Sequence, residues 1–265
     1  MVDGSDSKER RTSGAARLLR DPLIAAAFLT RLPVRLKGGI QMHDLAPAAW
    51  SFPLVGLFVG ALAGSALYGF SELNLHPLAC AVAGLATAAL VTGALHEDGL
   101  ADVADGFGGG ATAEKKRMVM RDSRIGAFGV IALIVSFGFR MGVLAGFPGP
   151  GTAAAALVAS AVLSRAVVPA VMALSRPAVG DGLGYSAGRP SLSVAAAAFL
   201  IGAALAVPLS GIETALVAMA AASVTAFAVA RLARRQIGGY TGDVLGAVQQ
   251  VAEMAVLAVM GALIL

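Results

Sequence analysis

The sequence predicts an all-α protein, a polytopic membrane helix bundle with about seven transmembrane helices plus interfacial helices. Three observations lead there. Only 14% of the 265 residues are charged and 57% are hydrophobic, against roughly 25% charged in an ordinary soluble domain. Mean hydropathy is +0.80. The apolar residues gather into runs long enough for a hydrocarbon core of about 30 Å. Those runs are rich in Ala, Gly, Val and Leu, and small residues let membrane helices approach closely.

Residues 1–21 are polar and basic, with Lys8, Arg10, Arg11, Arg17 and Arg20 among serines and glycines. They read as a disordered tail. A removed signal peptide is not expected, since no Ala-x-Ala-like site follows an apolar core. Residues 22–265 read as one integral membrane domain. The apolar run within 22–36 is too short to span, which predicts an interfacial or re-entrant helix with Arg31 and Arg35 near phosphates.

Residues 45–71 carry no charge and form the first span. Within them Gly56, Gly60 and Gly64 mark a close-packed face, inside one chain or between two copies. After the link 72–77 a second span ends near Leu95. Residues 111–125 are densely charged. Further spans follow at about 126–146, 152–174, 191–210, 213–230 and 244–265. The single cysteine, Cys80, excludes an intramolecular disulfide and a cysteine-based metal site.

Charge counting orients the bundle. The N-terminal segment holds eight Lys or Arg, the 111–125 loop five, the 175–190 loop two and the 231–243 segment three. The alternate links 71–77, 147–151 and 210–213 hold none. By the positive-inside rule the N-terminus and all three basic loops face the cytoplasm, and seven spans place the C-terminus outside.

The chemistry concentrates in residues 96–110. Asp98, Asp102 and Asp105 stand at offsets of four and three, so a helix places them on one face. Like charges so arranged repel, and a hard divalent cation such as Mg²⁺, which prefers oxygen ligands, neutralises them. This helix is expected to begin where the second span reaches the interface. On the same side lie Arg121, Asp122, Ser123 and Arg124, and Asp243 opens the last helix from a glycine-rich turn. Carboxylates beside arginine forks suit a metal-bound phosphate ester. His96, adjoining the aspartates, is a candidate ligand, base or proton carrier. Glu253 lies about ten residues into a span. A bare carboxylate there costs roughly 2.5–3.5 kcal/mol on insertion scales, which predicts a partner such as Arg140 or Arg165. The acidic stretch lacks EF-hand spacing, and the chain has no phosphate loop of the Gly-x-x-x-x-Gly-Lys-Ser/Thr type.

The stretch His96-Glu-Asp-Gly-Leu-Ala-Asp-Val-Ala-Asp-Gly106, followed by Met120-Arg-Asp-Ser-Arg-Ile-Gly-Ala-Phe-Gly129, resembles the signature of the cobalamin synthase family, the adenosylcobinamide-GDP ribazoletransferases. Thr30-Arg-Leu-Pro33, Phe52-Pro-Leu-Val-Gly56 and Gly238-Gly-Tyr-Thr-Gly-Asp-Val-Leu-Gly-Ala247 match further motifs in the family's order. Glu97 departs from the pattern, standing where Leu is expected.

The resemblance implies a Mg²⁺-dependent enzyme of the bacterial inner membrane. It would join adenosylcobinamide-GDP to α-ribazole, or to its 5′-phosphate, and release GMP. Catalytic roles would fall to His96, Asp98, Asp102 and Asp105, with the same three aspartates as metal ligands. Arg121, Asp122, Ser123, Arg124 and Asp243 would contact substrate. A second copy of the chain, or another cobalamin-assembly enzyme, is compatible as a partner besides the lipid bilayer; no nucleic acid is expected. A rival class, the CDP-alcohol phosphotransferases, also uses an aspartate-rich helix and Mg²⁺. There Gly-x-x-Ala is preceded by Asp and followed by Arg, whereas here Ala101 is followed by Asp102. A cation transporter would employ intramembrane acids such as Glu253, but it leaves the Arg121–Arg124 cluster without a task.

Overall fold

A computed structural model describes residues 14–36, 39–180 and 182–264. Among them there is no β-strand. Helix α1 (Gly14–Leu29) starts inside the segment assigned to the tail. Residues 14–21 are therefore helical rather than disordered; residues 1–13 lie outside the described residues. Two polar contacts hold α1 in place: Arg20 Nη2 donates to Asp44 Oδ2 at 3.1 Å, and Trp50 Nε1 to Asp21 Oδ2 at 2.8 Å. Beyond Leu29 the chain is irregular, and the Arg31 amide donates to the Val91 carbonyl at 2.8 Å.

The first span is helical from Met42 to Ser71. It passes through α2 (Leu45–Ala48) into α3 (Phe52–Ser71). The second is short. Helix α4 (Pro77–Thr92) has only 16 residues, and α5 (Leu95–Gly109) leaves it at 90°. The bend is made by Gly93 at φ 67° and Ala94 at φ 57°. Glycine takes the left-handed region freely, whereas alanine does so at a cost. The charged segment forms α6 (Ala113–Met120), whose N-cap Thr112 side chain accepts from the Lys115 amide.

Then come α7 (Ala127–Gly146), α8 (Pro150–Ala166) and α9 (Val168–Leu174). The break between α8 and α9 precedes Pro169, which cannot donate a helical hydrogen bond. After α10 (Leu183–Ser186) the chain completes the bundle with α11 (Leu192–Ser210), α12 (Ile212–Ile237) and α13 (Gly242–Ile264). Among the described residues six helices are long and apolar enough to cross a membrane, and the bent α4–α5 pair, taken as one span, brings the number to seven. Helix α12 outruns its predicted span and carries Arg231, Arg234 and Arg235 in its final turns.

The glycine face of α3 packs inside the chain. A Cβ on Gly56 would stand 2.4 Å from the Ala161 carbonyl oxygen, and one on Gly60 2.8 Å from Val158 Cα. The span Pro150–Leu174, made of α8 and α9, is the most enclosed of the six long spans among the described residues, 83% buried along its most apolar stretch. The three basic loops meet at one end of the bundle. Ala178 N donates to Tyr240 O at 2.8 Å, Tyr240 N to Arg176 O at 3.0 Å, and Arg117 Nη1 to Ile237 O at 3.0 Å.

Candidate active site

Helix α5 begins inside the bundle and not at its edge, contrary to the expectation from the sequence. The short α4 and the turn at Gly93-Ala94 deliver His96 and Glu97 into the interior, where both are buried. They join a polar network built from spans. Arg140 Nη1 donates to Glu253 Oε1 at 3.1 Å and lies 3.8 Å from Glu97 Oε1. The Arg140 guanidinium also stacks on the Phe137 ring at 4.7 Å. Gln250 Nε2 donates to Glu97 Oε1 at 3.1 Å, and Gln249 Nε2 to Ser164 Oγ at 2.9 Å and to Glu253 Oε2. Arg165 Nη1 donates to the Ala161 carbonyl at 3.1 Å. The partner expected for Glu253 is thus Arg140, and Glu97 belongs to the same network.

From this root α5 climbs towards the loop end of the bundle against α13. The contact is backbone-close: a Cβ on Gly99 would lie 2.7 Å from Asp243 O, and one on Gly246 3.3 Å from His96 Cα. Two glycines thereby place Asp98 and Asp102 beside Asp243. Thr241 holds the start of α13, donating its hydroxyl to Asp243 Oδ2 at 3.1 Å and accepting from Val244 N at 3.3 Å. Asp102 feels the like charges of Asp98, Asp243 and Asp105.

Asp105 is turned to a different task. Its Oδ2 accepts from Gly126 N at 2.7 Å and its Oδ1 from Gly129 N at 2.9 Å. It therefore caps α7, whose N-terminal amides have no helical acceptors of their own. A carboxylate is favoured there by the helix dipole as well. The glycines at 126 and 129 are needed because a Cβ on either would stand 2.4 Å from an Asp105 oxygen.

Among the described residues Asp243 borders a pair of cavities beside the aspartates. One, of about 160 Å³, has Asp98, His96 and Arg165 on its polar side and Phe52 and Met172 among its apolar walls. The other, of about 120 Å³, lies between Arg121, Tyr185, Tyr240 and Asp243. The Arg121–Arg124 cluster therefore divides. Arg121 belongs with Asp243, whose charge it attracts. Arg124 is clamped by Asp122, through Nε to Oδ1 at 3.1 Å and Nη2 to Oδ2 at 2.8 Å. These bonds hold the exposed Asp122 carboxyl down to about 2. Ser123 is exposed in the turn between them.

Asp98, Asp102 and Asp243 offer hard oxygen donors crowded by like charge, the donor chemistry that magnesium prefers. Among the described residues, no three His, Cys, Asp or Glu side chains converge closely enough to hold an ion unaided. Magnesium commonly takes one or two carboxylates and completes its shell with substrate phosphates and water, so the site fits that ion when a phosphate is present.

A family model described as cobalamin-5-phosphate synthase matches residues 21–261. The chain belongs to that family. A protein of Bradyrhizobium diazoefficiens named adenosylcobinamide-GDP ribazoletransferase is 48% identical over 246 residues, covering 92% of this chain and 94% of the relative. Proteins with the same name from Azorhizobium caulinodans and Mesorhizobium japonicum are 42% and 43% identical, over 94% of this chain in each case and over 97% and 95% of the relatives. No solved structure matches.

Several residues of the site escape the sequence reading. Arg165, expected only as a candidate partner of Glu253, also lines the cavity that Asp98 and Asp243 line, a place that its apolar surroundings in the sequence do not announce. Gln249 and Gln250 had a signal, since two adjacent amides inside an apolar span need partners. Thr241 is legible only as a helix cap.

Proposed function

We propose that this chain transfers the adenosylcobinamide-phosphate moiety of adenosylcobinamide-GDP to α-ribazole, or to α-ribazole 5′-phosphate, and releases GMP. The observation that carries the reading is the meeting of Asp98, Asp102 and Asp243 across the Gly99–α13 contact, with Arg121 on the far side of Asp243. A pyrophosphate needs cations on its oxygens and a base near the attacking hydroxyl, and this arrangement offers both.

A ribose hydroxyl of the acceptor attacks the phosphorus on the cobinamide side. A new P–O bond forms there, the bridging P–O bond to GMP breaks, and the hydroxyl proton passes to an aspartate of the cluster or to His96. Asp98, Asp102 and Asp243 would hold Mg²⁺, which when bound neutralises charge on the phosphate oxygens. Asp105 keeps the α5–α7 corner rigid, so its contribution is to positioning. Arg121 draws the leaving phosphate towards Asp243's second cavity, while Asp122 keeps Arg124 oriented at the rim. Positioning and charge neutralisation carry most of the rate enhancement in phosphoryl transfer.

The loop end of the bundle, being the basic end, faces the cytoplasm of a bacterial inner membrane, where the polar substrates are found. Purified chain in lipid nanodiscs, given adenosylcobinamide-GDP, α-ribazole and Mg²⁺, is expected to yield a cobamide and GMP in equal amounts. Turnover of a CDP-alcohol instead, or ion flux without turnover, overturns the assignment.

A further inference from the structure

Another concave feature of the bundle stands apart from the acidic face. A groove of about 520 Å³ runs between α9, α11 and α12. Its walls are apolar, with Leu174, Phe199 and Phe227 among them, and Leu174 and Phe227 are 71% and 68% exposed. Four arginines line it as well: Arg176 from the loop after α9, Arg189 from the loop after α10, and Arg231 and Arg234 from the last turns of α12. Phe227, Arg231 and Arg234 follow one another at helical spacing, so one stripe of α12 passes from apolar to cationic along the groove.

Among the described residues no carboxylate lines this groove. Among the described residues none of the four arginines is paired with an acid. Two are anchored by backbone instead: Arg176 Nε donates to Gly238 O at 3.1 Å, and Arg189 Nε to Ala173 O at 2.7 Å. Each bond uses Nε and leaves the terminal nitrogens as donors, the geometry that binds phosphate through a planar fork. Four guanidiniums without a counter-charge among the described residues call for an anion. The apolar walls beside them call for a hydrocarbon chain on the same molecule. A free phosphate or nucleotide satisfies only the first demand. A zwitterionic lipid brings an ammonium that the arginines repel.

We propose that this groove binds one anionic glycerophospholipid, with its phosphate among Arg176, Arg189, Arg231 and Arg234 and an acyl chain along Phe199 and Phe227. The site is independent of the transferase reading. Gly239 borders the groove, and the parallel bridge between Pro177 and Tyr240 ties the groove's rim to the loop that leads into Asp243. Bound lipid therefore braces that loop.

The test uses the full chain in nanodiscs of phosphatidylcholine doped with phosphatidylglycerol, read by native mass spectrometry after release. One phosphatidylglycerol per chain is expected to be retained in preference to phosphatidylcholine. Arg231→Gln/Arg234→Gln is expected to weaken retention roughly 25-fold, at about fivefold per surface arginine, and Phe227→Ala severalfold. Arg235→Gln removes the same charge from the same helix end but does not line the groove, and it is expected to retain lipid as wild type does. Excess inorganic phosphate is expected not to displace the lipid. The proposal is overturned if Arg235→Gln loses as much as the groove pair, if the pair retains lipid undiminished, or if phosphate alone displaces it.

Discussion

Arg140 on α7 and Glu253 on α13 meet at 3.1 Å within the bundle, and Arg140 is 1% exposed. Breaking a buried pair by removing one partner leaves an uncompensated charge and costs about 3–5 kcal/mol. Arg140→Met is expected to lose that amount in denaturant unfolding followed in micelles. Arg140→Met/Glu253→Leu is expected to recover part of it, because Glu97 keeps Gln250 as a donor at 3.1 Å. Strict additivity of the two single changes would show that the pair is not coupled.

Asp102 sits among three other carboxylates, an arrangement suited to binding a cation and unfavourable to the empty fold. Asp102→Asn is therefore expected to lower turnover by roughly 10²-fold or more, the scale of losing one preorganised electrostatic contact. It is expected to raise the Mg²⁺ concentration needed for half-maximal rate. Unfolding should occur at the wild-type denaturant concentration or slightly above it, since repulsion is relieved. Wild-type turnover at limiting Mg²⁺ would remove Asp102 from the metal site.

Asp105 is expected to behave differently although it belongs to the same motif. Both of its oxygens already accept amide hydrogens at the start of α7, so Asp105→Ala should cost about 1–2 kcal/mol of stability, as loss of a helix cap does. Its Mg²⁺ dependence should move far less than that of Asp102→Asn. If a Mg²⁺ titration of the two variants gave the reverse order, Asp105 would be a metal ligand and its capping incidental.

The contrast between these two aspartates marks how far the sequence can be read. Spacing places Asp98, Asp102 and Asp105 on one face of α5, but it says nothing of the amides that another helix brings to that face. The spans are legible because length and apolarity are properties of the chain itself, and the glycine stripe of α3 is legible as a packing face. The α4–α5 bend is not legible. Residues 77–95 are uncharged throughout, and an alanine at 94 carries no mark of its left-handed backbone. With that bend hidden, the burial of His96 and Glu97 is hidden too. Asp243 is legible as the acid that opens the last helix, whereas Arg165 takes its role only from helices that the sequence cannot bring together.

Within the basic cluster, Arg121 and Arg124 are expected to separate by assay. Arg124 is already neutralised by Asp122 through two bonds, while Arg121 borders the cavity that Asp243 lines. Arg121→Gln should reduce kcat/KM for adenosylcobinamide-GDP by about tenfold to 10²-fold, the range of a lost charge-assisted contact of roughly 1.5–3 kcal/mol. Arg124→Gln should stay within a few-fold of wild type. Equal losses would mean that Asp122 releases Arg124 to the substrate.

Gly99 offers the sharpest separation of fold from function. Its missing side chain lets α5 lie against the Asp243 backbone, and a methyl group there would come within 2.7 Å of Asp243 O and 3.0 Å of its Cα. Backbone cannot yield as a flexible side chain does, so Gly99→Ala has to push α5 away from the start of α13. The displacement needed is a fraction of an ångström to about one ångström, little for a bundle held by the α3–α8 contact elsewhere. For the site it is large, because Asp98 and Asp102 would shift relative to Asp243. Misplacement of about 1 Å can cost roughly 10²-fold in rate. Gly99→Ala is therefore expected to unfold near the wild-type denaturant concentration while losing turnover on that scale, and to lose apparent Mg²⁺ affinity with it. A variant that kept its turnover would show that the acids of α5 and α13 work independently of each other.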